Sequence, residues 1–137
     1  MKLMLDLNVL LDVVQRRESF YFASATVLSK VVETEEIGCL PGHALTTLHY
    51  IVRKSAGKER ADELIDWLLT HFEVVPQDKL QFTRARTLAM PDFEDAALAT
   101  AAEAAGCDLV LTRNVADFTE SPVRAMTPEE FLVQQTA

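Results

Sequence analysis

Short apolar runs alternate with helical patterns along this chain, and that alternation restricts its fold more than any other feature. Leu3-Met4-Leu5, Ile37-Gly38-Cys39-Leu40 and Phe72-Glu73-Val74-Val75 are three such runs, each of strand length. A fourth spans residues 108–112 around Leu109-Val110-Leu111, and Val123-Arg124-Ala125-Met126 is a short fifth. Strands separated by helices indicate a parallel sheet with helices on both faces. Right-handed crossovers then place every strand's carboxyl end on one edge. With 137 residues the chain suffices for one domain and not for two ordinary ones. The expectation is a single α/β domain over 1–137, with a central parallel sheet of about five strands.

The intervening patterns set the helices. Residues 8–14 carry Val9, Leu10, Val13 and Val14, with Asp12 on the same side as Asn8. Ser19 is the expected N-cap of a helix in which Phe20, Ser24, Val27, Leu28 and Val31 repeat at helical spacing. Residues 43–55 give a core stripe of Ala44, Leu45, Leu48, Ile51 and Val52, and an opposite face of His43, Thr47, Tyr50 and Lys54. Residues 58–71 are expected to bury Leu64, Ile65, Leu68 and Leu69, with Trp67 at the margin, and residues 78–88 to turn Leu80, Ala85 and Leu88 inward. Asp92 opens an alanine-rich helix that Gly106 ends, and Thr127-Pro128-Glu129-Glu130 reads as a capping box.

Leu3-Met4-Leu5 runs directly into Asp6. An acid at the end of a buried strand is costly unless paired or bound to a cation, and that edge is where open α/β sheets place their chemistry. If the fourth strand neighbours the first, Thr112, Asn114 and Asp117 fall beside Asp6. Asp92 and Asp95, three residues apart, share one side of a helix's first turn, with Glu94 pointing elsewhere. Capping alone explains that pair as well as a site does. Together, Asp6, Asp95 and Asp117 would converge without a matched basic partner, and such carboxylates stay ionised only around a cation. Oxygen ligation selects Mg2+ or Mn2+, suited to phosphate chemistry.

The formal charge of −8 argues against a broad electrostatic grip on nucleic acid. It leaves room for a nucleic-acid enzyme with acids gathered at a metal; basic pairs such as Arg16-Arg17, Arg53-Lys54 and Arg84/Arg86 could form a local patch, though such pairs are mostly solvated surface. Cys39 and Cys107 lack metal-ligand spacing and read as buried free thiols. No apolar run is long enough to span a membrane and no signal-peptide core is present, so the expected location is cytoplasmic.

Asp6-Leu7-Asn8-Val9-Leu10-Leu11-Asp12 resembles the opening motif of PIN domains. Asp92-Phe93-Glu94-Asp95-Ala96 and the 112–118 segment, Thr-Arg-Asn-Val-Ala-Asp-Phe, resemble their two later motifs, and residues 127–132 the closing helix of one subgroup. The resemblance runs over essentially the whole chain, in the family's order and spacing. It implies a Mg2+- or Mn2+-dependent ribonuclease, of the kind that serves as a VapC-type toxin held by an antitoxin and that forms homodimers. It implies Asp6, Asp95 and Asp117 as catalytic metal ligands, with Asn8, Asp92, Thr112 and Asn114 behind them. Tyr50, Trp67 and Phe22 are candidate dimer contacts. One position departs from the pattern. The family's glutamate on the helix after the second strand is absent, and by register Thr47 faces the site instead. Thr47, Tyr50 and Lys54 are candidate RNA contacts. A nuclease with a reduced site, a nuclease needing high metal and an inactive fold that binds RNA or protein all remain open. A phosphoacceptor domain is disfavoured, because the fourth strand ends in Thr112-Arg113-Asn114 rather than near a lysine.

Overall fold

A computed structural model describes residues 1–136. In chain order the elements are β1 (Lys2–Leu5), α1 (Leu7–Val14), α2 (Tyr21–Glu33), β2 (Ile37–Pro41), α3 (Gly42–Ala56), α4 (Lys58–His71) and β3 (Glu73–Val75). They continue with α5 (Lys79–Thr87), α6 (Phe93–Ala104), β4 (Leu109–Leu111), a 3-10 turn (Val115–Phe118), β5 (Ala125–Met126) and α7 (Pro128–Thr136). The five strands form one parallel sheet in the order β3-β2-β1-β4-β5. The chain leaves β1 toward β2 and β3, then returns across it to β4. The gap between β1 and β4 is therefore the topological switch point, where such sheets bind ligands.

Strand alternation divides the core into two layers. Leu3, Leu5, Leu40, Leu109 and Leu111 face one side, against Leu10, Val27, Leu48, Leu68 and Phe131 from α1, α2, α3, α4 and α7. Met4, Cys39 and Val110 face the other, against Leu98, Ala101 and Ala102 of α6. The alanine-rich sequence of α6 lets it lie close on the sheet. The two cysteines are buried and free. The capping box of α7 forms as expected: Glu130 N–H donates to Thr127 Oγ1 at 3.0 Å, and Thr127 N–H donates to Glu130 Oε1 at 3.0 Å.

Several expectations are corrected. Ser19 does not cap α2; it adopts a left-handed backbone (φ 73°), and the helix starts after Phe20 without a side-chain cap. Phe20 is not a core residue but covers the guanidinium of Arg113, 4.4 Å from the ring centroid. Leu80 and Leu69 point outward, because α5 lies over α6 rather than on the sheet and α4 buries mainly Ala61 and Leu68. Among the described residues no helix is long and apolar enough to cross a membrane.

Candidate active site

Asp6 follows β1 in extended conformation at the entrance to α1. Its N–H donates to Leu111 O at 3.0 Å, which extends the β1–β4 ladder by one residue. Its carboxylate is nearly buried, and Oδ2 accepts the Thr112 hydroxyl at 2.8 Å. Burial raises the Asp6 pKa; the Thr112 bond, the N–H groups of Asn8 and Leu7 and the charge of Arg113 oppose the rise. Asn8 lies inside the first turn of α1 and meets Asp6 through its backbone. Thr112 Oγ1 also accepts the Asn114 N–H at 3.1 Å, and Asn114 O accepts the Asp117 N–H at 3.0 Å. One hydroxyl thus ties Asp6 to the turn that carries Asp117.

The first turn of α6 supplies the second group of acids. Asp92 is its N-cap, with Oδ1 accepting the Asp95 N–H at 2.9 Å. Asp95 shares a narrow cleft with Asp6, Leu7, Pro41, His43, Ala44, Glu94 and Leu98. Its pKa is pushed up to about 7, first by burial and then by the charges of Asp6, Asp92, Asp117 and Glu94. Glu94, expected to point elsewhere, lines the cleft. Three-residue spacing picks out one side of a helical turn, but at a helix's first turn adjacent residues can both reach a ligand lying beyond its end.

From α3 the cleft receives His43 and Ala44. Thr47, expected to face the site, is one turn farther and donates its hydroxyl to His43 O at 3.2 Å. The Gln77 Oε1 atom accepts both the His43 backbone N–H and the Nδ1 atom, each at 3.0 Å. The shared acceptor places the neutral ring's proton on Nδ1 and leaves Nε2 bare. Tyr50 and Lys54 lie outside the cleft, with Lys54 Nζ 5.0 Å from the Tyr50 ring centroid.

The arrangement is rich in hard oxygen donors and poor in balancing charge, which is the chemistry a divalent cation requires. Among the described residues no three His, Cys, Asp or Glu side chains stand at ligating spacing. A cation would therefore have to draw the carboxylates of Asp6, Asp95 and Asp117 together.

A family model described as PIN domain matches residues 2–116. No curated protein matches the chain. Among solved structures, VapBC2 from Rickettsia felis bound to a promoter DNA fragment is similar with a TM-score of 0.69 at 20% identity, over 93% of this chain and 98% of that one. A toxin-antitoxin complex from Klebsiella pneumoniae is similar at 0.69 and 16% identity, over 91% and 96%. VapC20 of Mycobacterium tuberculosis, a sarcin-ricin loop cleaving toxin, is similar at 0.63 and 11% identity, over 79% and 86%. At these identities the likeness is one of fold.

Proposed function

The chain belongs to the PIN domain family, and from that premise we propose that it is a metal-dependent endoribonuclease acting as a VapC-like toxin. One observation carries the reading: Asp6, at the carboxyl end of β1, and Asp95, in the first turn of α6, line one cleft beside the ends of β1 and β2. A Mg2+ or Mn2+ ion held by Asp6, Asp95 and Asp117 would offset charge on the scissile phosphate and acidify water for attack. The chain's own residues prepare that position. Thr112 holds Asp6 Oδ2 and so fixes the orientation of the carboxylate. Asp92 spends one oxygen on the Asp95 N–H and so fixes the helix end from which Asp95 projects. Asn114 anchors the turn that carries Asp117. In the hydrolysis, water adds to phosphorus, one P–O ester bond breaks and the departing oxygen takes a proton.

The test is RNA cleavage against Mn2+ concentration for wild type and Asp95→Asn, with EDTA as the blank. Manganese-dependent cleavage lost in the variant is the expected result. Equal cleavage in both, or none in either across metals and RNA pools, would overturn the reading.

An antitoxin is the proposed protein partner, in line with the solved toxin-antitoxin neighbour. A groove of about 450 Å3, with Val13, Val14, Leu64 and Trp67 on its apolar wall and Arg16, Arg60 and Glu63 at its charged margin, suits an amphipathic helix from such a partner. Tyr50 and Phe22 are exposed and remain candidates for a homodimer contact. A second reading, a PIN fold that binds without cleaving, is favoured by the cleft wall from α3, which offers His43 and Ala44 but no carboxylate. Failure to bind Mn2+ would favour it.

A further inference from the structure

Asp12 is fully buried although it is an acid, and the proposed chemistry does not use it. Its Oδ2 lies 3.3 Å from Arg113 Nε and accepts the Ser24 hydroxyl at 3.2 Å; its Oδ1 lies 3.7 Å from Arg17 Nη1. Asp12 Oδ1 and Arg113 Nε have no hydrogen-bond partner, so charge and packing hold the pair rather than aligned bonds. Phe20 closes over the guanidinium from α2's entrance. A buried pair of this kind is seldom worth more to stability than apolar residues of the same size. What it supplies is direction. Arg113 follows Thr112, whose hydroxyl holds both Asp6 Oδ2 and the Asn114 N–H. Drawing the Arg113 side chain under α1 and α2 fixes how the 112–114 segment leaves β4.

We propose that Asp12 and Arg113 are positioning residues: their contact, roofed by Phe20, sets the 112–114 segment so that Thr112 orients Asp6 and Asn114 anchors Asp117. The kinetic part of this inference rests on the ribonuclease reading; the structural part does not.

Wild type, Arg113→Gln, Arg113→Lys, Asp12→Asn and the double variant Asp12→Asn/Arg113→Gln are compared on one RNA oligonucleotide in Mn2+, with backbone amide NMR of each. In Arg113→Gln, kcat should fall roughly 10-fold to 100-fold, the scale of a small misplacement of reacting groups, while KM changes little. Arg113→Lys should recover part of kcat, and the double variant should be no worse than the poorer single one. The Thr112 and Asn114 amides should move in every variant while the Val110 amide stays. A folded Arg113→Gln with unchanged kcat would overturn the proposal. So would a raised KM at unchanged kcat, which would make Arg113 an RNA contact. If Asp12→Asn fails to fold, Arg113→Lys still decides. If wild type cleaves nothing, the ribonuclease reading fails by itself and the amides decide: shifts confined to 112–114 support positioning, and their absence overturns it.

Discussion

Asp95 is where the electrostatics of the cleft are most exposed to measurement. Its pKa of about 7 stands above the ordinary 3.8, so between these values the folded protein keeps a proton that the unfolded chain has released. Stability contributed by this group is therefore full at low pH, declines as pH rises through that window and levels off above it. Asp95→Asn removes the slope. Urea midpoints at about pH 5 and about pH 8 should show the variant gaining on wild type at the higher pH, even as cleavage disappears. A wild-type midpoint as high at the upper pH as at the lower would contradict this. Asp6, Asp95 and Thr112 were legible from sequence because each sits at a strand or helix end that the apolar pattern locates. His43 belongs to the α3 face read toward the site and does line the cleft, whereas Glu94 was read as pointing elsewhere, because whether an end residue reaches a cleft depends on the angle at which its helix meets the sheet.

At the scale of elements, β2 depends on a residue with no side chain. A Cβ at Gly38 would lie 2.6 Å from Phe72 Cε2 and 2.8 Å from Val31 Cγ1, both buried. Gly38→Ala should destabilise by about 1–3 kcal/mol, the usual cost of overpacking, read as a lower urea midpoint with an unchanged slope. A midpoint equal to wild type would mean that α2 and the 72–75 segment shift freely. A helix that packs directly on the sheet was easiest to read: α3 shows its buried face in the spacing of Ala44, Leu48 and Val52. The outer helix α5 was not, since it buries Ala85 but leaves Leu80 79% exposed. Its inward face is small rather than apolar and large. The α2 entrance differs from its sequence pattern: Ser19 has a capping side chain but adopts a left-handed backbone, and Phe20, next to it, lies over Arg113.

The whole molecule is acidic, with 21 Asp and Glu against 13 Lys and Arg. On the proposed ribonuclease reading, RNA would be held by a few local contacts rather than by a broad positive field. Binding of RNA to the non-cleaving Asp95→Asn, followed by fluorescence anisotropy between about 50 and about 200 mM salt, should give a log–log slope of roughly −2 or shallower, equivalent to two or three phosphate contacts. A slope near −5 would require a basic surface that the composition does not supply.

The sheet order has a consequence for the birth of the protein. β1 is made first but sits in the middle, and the bond from Thr112 to Asp6 spans 106 residues. Translation at about 5–20 residues per second separates the emergence of these partners by on the order of ten seconds. Throughout that interval Asp6 waits without the strand that orients it. The contact that orients Asp6 is therefore completed only late in synthesis, after most of the chain has emerged.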